Sequence, residues 1–125
     1  MKKIKMGMVG GGAGSFIGKV HLMAALLDNQ IELVCGAFSK DPQKSAESGL
    51  EYGLPADRVY TNYAEMFIKE SSLPDDVRMD FVSIVTPNNV HFEPASMALK
   101  NGFHVVCDKP LAFSLREAAE LKKIM

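Results

Sequence analysis

Residues 3–21 constrain the fold more than any other stretch of this 125-residue chain. Ile4, Met6, Met8 and Val9 form a short apolar run that reads as a buried strand, and Gly10, Gly11, Gly12, Gly14 and Gly18 follow it. An apolar helical pattern (Ile17, Val20, Leu22, Met23, Leu26, Leu27) then runs to a stop at Asp28-Asn29. A strand that empties through glycines into a helix start is an anion cradle. Backbone N–H groups at the helix N-terminus face the anion, and the missing Cβ atoms let it approach. The spacing departs from the plain Gly-x-Gly-x-x-Gly fingerprint. Gly10-x-Gly12 fits the first half, but the next glycine in step with the helix, Gly18, comes three residues late. The loop therefore reads either as a lengthened dinucleotide fingerprint or as a glycine-rich turn of another kind. A triphosphate-binding loop is disfavoured, because Gly18-Lys19 is followed by Val20, which has no hydroxyl for magnesium.

The rest of the chain repeats the alternation. An apolar run at 31–38 predicts a second strand, and Ser39-Lys40-Asp41-Pro42 turns the chain, with Ser39 or Asp41 as helix cap and Pro42 near the first helical position. A short polar helix over 43–52 ends at Gly53. Residues 58–60 predict a third strand, and Asn62 caps a helix carrying Met66, Phe67 and Ile68. A loop at 73–78 leads to a fourth strand over 80–86, broken by Pro87-Asn88-Asn89. Helix 91–100 is closed by Asn101-Gly102, a fifth strand covers 103–107, and Ser114 caps a final helix with Glu117 at the capping-box position. The order β-α-β-α-β-α-β-α-β-α predicts an α/β fold, a Rossmann-type doubly wound parallel sheet with helices on both faces. Residues 1–125 form one such domain. The last helical pattern reaches Met125 with no cap or glycine, as expected of a piece of a longer protein.

In sheets of this kind ligands bind beyond the carboxyl ends of the strands, where the winding reverses. Gly10 to Gly18, Ser39-Lys40, Thr86 to Asn88 and Asp108 to Pro110 each fall just after a predicted strand, so they should converge on one crevice. Gly10, Gly12 and Gly14, with the N–H groups of Ser15, Phe16 and Ile17, are the expected pyrophosphate contacts. At the second strand, where a ribose-reading carboxylate normally sits, Ser39 and Lys40 offer a hydroxyl and a cation that would welcome a 2′-phosphate. Asp41 would instead reach a free 2′-hydroxyl or cap the helix. The balance leans to NADP over NAD. Thr86, Pro87, Asn88 and His91 would line the nicotinamide ribose, although His91 taken alone reads as a first-turn surface residue. Asp108-Lys109-Pro110 sets an acid beside a base at a strand end. Lys109 would either donate a hydrogen bond to a substrate hydroxyl or carbonyl or stand as a salt-bridged or exposed lysine, and Pro110 would fix the turn. His104 and His21 read as packed residues.

Charge and cysteine content remove other classes. A net charge of -1 gives no case for nucleic acid or an anionic membrane, and no run approaches the ~20 apolar residues of a spanning helix. Cys35 and Cys107, in apolar strands with no Cys-x-x-Cys or histidine cluster, read as small buried side chains of a reducing cytoplasm rather than as a disulfide or metal site.

Three segments together resemble the nucleotide-binding domain of the glucose-fructose oxidoreductase / inositol dehydrogenase / rhizopine-catabolism (Gfo/Idh/MocA) family. They are the glycine loop ending Gly18-Lys-Val-His21, then Val85-Thr-Pro-Asn-Asn-Val-His91, then Gly102-Phe-His-Val-Val-Cys-Asp-Lys-Pro110. The resemblance implies NAD(P)-dependent hydride transfer on a sugar, polyol or related secondary alcohol. It places Lys109 at the substrate hydroxyl as the lysine of a Glu-Lys-Pro motif, with Asp108 where the family usually has glutamate. It also implies a second, mainly antiparallel domain carrying the substrate pocket and a catalytic histidine, and a homo-oligomeric whole protein. The alternative is a non-catalytic Rossmann-type module that senses a nucleotide or sugar.

Overall fold

A computed structural model of the protein describes residues 2–12, 15–86, 91–107 and 114–125. Strands β1 (Ile4–Gly10), β2 (Ile31–Ala37), β3 (Phe81–Val85) and β4 (His104–Cys107) form a parallel sheet in the order β2-β1-β3-β4. Between and after them lie α1 (Phe16–Leu26), α2 (Pro42–Glu51), α3 (Tyr63–Ser71), α4 (Phe92–Lys100) and α5 (Leu115–Ile124). The chain winds outward from β1 to β2, then crosses back to β3, so the reversal falls between β1 and β3. Val9 pairs with Ala37 and Gly10 with Val85, which sets the carboxyl ends of the three strands level and opens their loops on one edge.

Both faces of the sheet are covered, as the near-continuous apolar strands require. On one face Met6, Met8, Phe38 and Val85 are buried with Ile17, Leu22 and Ala25 of α1 against them. On the other, Val9, Val82 and Ile84 meet Met66 and Phe67 of α3, Ala95 and Ala98 of α4, and Leu121 of α5. Helix α1 is mostly apolar, with Lys19 and His21 its polar side chains. Phe16, Val20, Met23 and Leu27 stay exposed on its outer side.

Local chemistry sets the element ends. Asp41, rather than Ser39, caps α2, its carboxylate accepting from the N–H groups of Gln43 and Lys44 with Pro42 in the first turn. Asn62 accepts from Ala64 and Glu65, and Ser114 from Glu117.

Two expectations are corrected. The predicted third strand over 58–60 contracts to a single parallel bridge between Gly36 and Val59. A 3₁₀ turn occupies Ala56–Arg58, and the Tyr60 carbonyl accepts from the Ser45 hydroxyl at 2.7 Å, so neither side of the bridge extends. His104 is exposed, not packed: it opens β4, the last strand of the described sheet, where outward and inward residues alternate.

Two polar pins tie the sheet to its surroundings. Fully buried Glu70 accepts from Arg58 Nε and Nη2 at 2.8 and 2.9 Å, from the Tyr60 hydroxyl at 2.9 Å and from the Met79 N–H at 3.0 Å. Burial, then the charge of Glu70, pushes the Tyr60 phenol and the nearby Cys35 thiol up. At the amino ends of β1 and β3, the Asp80 carboxylate takes the Lys5 backbone N–H at 2.8 Å and lies 3.3 Å from the Lys5 ammonium. Among the described residues no helix is long and apolar enough to cross a membrane.

Candidate functional site

The glycine turn is built by close approach. Gly10 and Gly11 take left-handed conformations (φ +81° and +73°), which L side chains rarely adopt. A Cβ on Gly10 would stand 3.1 Å from the Thr86 backbone nitrogen, so the loop after β1 lies directly against the end of β3. Gly18 closes the motif: its Cβ would sit 2.5 Å from Gly11 Cα, so only glycine lets the first turn of α1 rest on the loop. This is the part the third glycine of a dinucleotide fingerprint plays. Of the two readings of the lengthened loop, the geometry therefore matches the fingerprint, with the extra residues placed before the closing glycine.

The helix start is set by Ser15. Its N–H donates to the Gly12 carbonyl at 2.8 Å, and its hydroxyl accepts from the Gly18 N–H at 3.2 Å. Helix α1 begins at Phe16, so the amides of Phe16 and Ile17 belong to the turn that has no intrahelical acceptor and carries the positive end of the helix dipole. On the opposite flank Gly12 stands against α2 and the end of β2, where its Cβ would lie 3.2 Å from Ser48 Oγ and 3.4 Å from the Phe38 carbonyl oxygen. The Tyr52 hydroxyl, at the end of α2, donates to the Gly11 carbonyl at 2.9 Å, and its ring packs on Phe38 with centroids 5.2 Å apart.

After β2, the Ser39 hydroxyl accepts from the Asp41 N–H at 3.1 Å, Lys40 is exposed, and the Asp41 carboxylate is engaged in capping α2. After β3, Thr86 lies beside Gly10. His91 is wholly buried rather than on the surface, and its Nε2–H donates to the Thr86 carbonyl at 2.7 Å. His21 behaves as expected of a packed residue, with Nδ1 2.7 Å from the hydroxyl of buried Ser83 on β3. The structure thus gathers Gly10, Gly12, Ser15 and Thr86 around one turn, with Phe16 and Ile17 following Ser15. Gly14, Pro87, Asn88, Asp108, Lys109 and Pro110 lie outside the described residues. Cys35 is buried and Cys107 half-buried, and no metal-binding group occurs among the described residues.

Sequence reasoning missed Tyr52, Ser48 and Phe38, which form the far wall of the glycine turn. They sit 38 to 52 residues into the chain, and nothing in their spacing marks them. Only the fold of α2 back against β2 brings them to Gly11 and Gly12.

A left-handed double glycine, a closing glycine under the first turn of α1 and level strand ends at the sheet's reversal fit a dinucleotide pyrophosphate. A family described as an oxidoreductase family with an NAD-binding Rossmann fold matches residues 4–125. The chain belongs to this family. An uncharacterised oxidoreductase of Bacillus subtilis is 40% identical over 124 residues, which cover 98% of this chain and 31% of that protein. The D-glucoside 3-dehydrogenase of Escherichia coli is 34% identical over 110 residues, 88% of this chain and 28% of that protein. Among solved structures, an inositol dehydrogenase homologue of Azotobacter vinelandii complexed with NAD+ superposes with a TM-score of 0.93 at 44% identity, covering 98% of this chain and 31% of that one. An oxidoreductase from Sinorhizobium meliloti gives 0.91 at 49% identity, covering 99% and 34%. The chain therefore spans about a third of the length of the relatives it matches.

Proposed function

We propose that this chain holds NAD(H) at the β1–α1 turn and serves, in the protein that contains it, hydride transfer at a secondary alcohol of a sugar or polyol. The observation that carries the reading is the Gly11–Gly18 contact, which seats the N-terminus of α1 on a turn whose Cβ-free backbone leaves room for a pyrophosphate. Gly10, Gly12 and Gly14 with the amides of Ser15, Phe16 and Ile17 would hold that group. Thr86, Pro87 and Asn88 would line the nicotinamide ribose, and buried His91 would keep the Thr86 carbonyl in place. The names of the relatives support the substrate class, since they include a D-glucoside 3-dehydrogenase and a levoglucosan dehydrogenase. So does the complex of the Azotobacter vinelandii homologue with NADH and myo-inositol. The bound nicotinamide supplies a hydride acceptor. Lys109 would handle the proton of the substrate hydroxyl.

For the adenosine ribose, the Ser39 hydroxyl and the Lys40 cation suit a 2′-phosphate, while the Asp41 carboxylate is held at the helix cap. The NAD+ and NADH complexes of the homologue favour NAD. NAD(H) is therefore the proposed cofactor, with NADPH also accepted at this end of β2. A ligand that binds only the folded state stabilises it by about 2.7 kcal/mol at 100 times its Kd. NADH should accordingly raise the thermal midpoint by several degrees, and comparison with NADPH ranks the two. An unmoved midpoint with both at millimolar concentration overturns the cofactor reading. In the protein showing turnover, Lys109→Ala should lower kcat by about 100-fold or more, the scale of general acid–base catalysis, with cofactor Kd within about twofold. Unchanged kcat removes Lys109 from the reaction, and tight cofactor binding without any turnover favours the sensing module.

A further inference from the structure

The peptide between Gly11 and Gly12 sits in the middle of the proposed pyrophosphate cradle, and both of its residues lack a Cβ to hold it. Gly11 is in the left-handed region at φ +73°. Glycine backbone of this kind samples more conformations than any other, so an outside contact has to fix the plane. That contact comes from Tyr52, whose hydroxyl donates to the Gly11 carbonyl at 2.9 Å. The ring is itself held, being half-buried, packed on Phe38 at 5.2 Å, and rooted at the residue that ends α2. Partial burial, with the charge of Glu51 adding to it, raises the phenol above its ordinary range, so the hydroxyl keeps its proton and remains a donor at neutral pH.

In a planar trans peptide the C=O and the following N–H point in opposite directions. With the Gly11 carbonyl drawn toward Tyr52, the Gly12 N–H is turned away from α2. We propose that Tyr52 is a positioning residue for the cofactor: it orients the Gly11–Gly12 peptide so that the Gly12 amide is presented to the dinucleotide's pyrophosphate before binding. This inference rests on the cofactor reading above.

Tyr52→Phe removes the hydroxyl and keeps the ring against Phe38. NADH titrated at 25 °C should bind this variant about 5- to 10-fold more weakly, the worth of one preorganising hydrogen bond of about 1 kcal/mol. A structural role alone would lower the unfolding midpoint and leave Kd untouched. Leu99→Ala provides that comparison, since Leu99 packs on the opposite core at the far end of α4. It should lose stability and bind NADH as the parent does. A Tyr52→Phe Kd within about twofold of the parent, or an equal loss of affinity in Leu99→Ala, overturns the positioning role while the cofactor reading stands. Failure of the parent chain itself to bind NADH overturns both.

Discussion

At the scale of single residues, the glycine pattern was legible as chemistry before it was legible as geometry. Counting along the chain makes Gly18 three positions late for a fingerprint, yet in three dimensions it occupies the closing position, because the criterion is contact with Gly11 and not spacing. Spacing misleads wherever a loop takes up extra residues between two fixed points. Gly18→Ala would put a methyl group 2.5 Å from Gly11 Cα, against backbone that has no side-chain rotamer to yield. We expect a loss of about 2–3 kcal/mol, typical of overpacking at a tight site, together with loss of NADH binding as α1 is pushed off the turn. Gly53 is the contrast. It is also left-handed, at φ +75°, but nothing lies within 4 Å of its Cβ position. Gly53→Asn should cost under about 1 kcal/mol, because asparagine tolerates this region. Urea unfolding of the two variants checks both values, and a Gly18→Ala protein as stable as the parent would show that the turn does not depend on this contact.

At the scale of elements, the sequence signals that held were those whose physics is local. Asp41, Asn62 and Ser114 cap the helices they precede, because an N-cap needs only its own side chain and the next three residues. The signal at 58–60 failed because a strand depends on its partner. Val59 reaches β2 at Gly36, but the Tyr60 carbonyl is taken by Ser45 and the Arg58 side chain turns to Glu70. The Glu70 cluster was invisible to sequence reasoning for a related reason. A glutamate in a helix with Lys69 beside it reads as solvent-facing, and only the arrival of Arg58 and Tyr60 from one segment and the Met79 N–H from another makes its burial tolerable. His91 follows the same logic: a polar residue at a helix start reads as exposed until the end of β3 offers it the Thr86 carbonyl.

At the scale of the whole molecule, the two ends of the sheet do different work. The carboxyl ends carry the glycine turn and the residues that gather around it, whereas at the amino ends Asp80 joins β3 to β1 through Lys5. Partial burial by itself would raise the Asp80 carboxyl, but the Lys5 N–H and ammonium outweigh it and hold the group below the ordinary carboxylate range. A carboxyl depressed in the fold contributes stability that is fully present above its unfolded value, about 3.9. That contribution is lost as pH falls through the lower, folded value. With 43% of the side chain exposed, solvent screening limits it to about 1 kcal/mol or less. Asp80→Asn keeps an acceptor for the Lys5 N–H and removes only the charge. Its urea midpoint should lie below that of the parent at pH 7, and the gap should close as both are taken below pH ~3.9. Because the pin lies at the end of the sheet away from the glycine turn, Asp80→Asn should bind NADH at pH 7 with the parent's Kd. A gap that persists unchanged into acid would show that the carboxylate's charge does not stabilise the fold, and a weakened Kd would show that the two ends are coupled through β1.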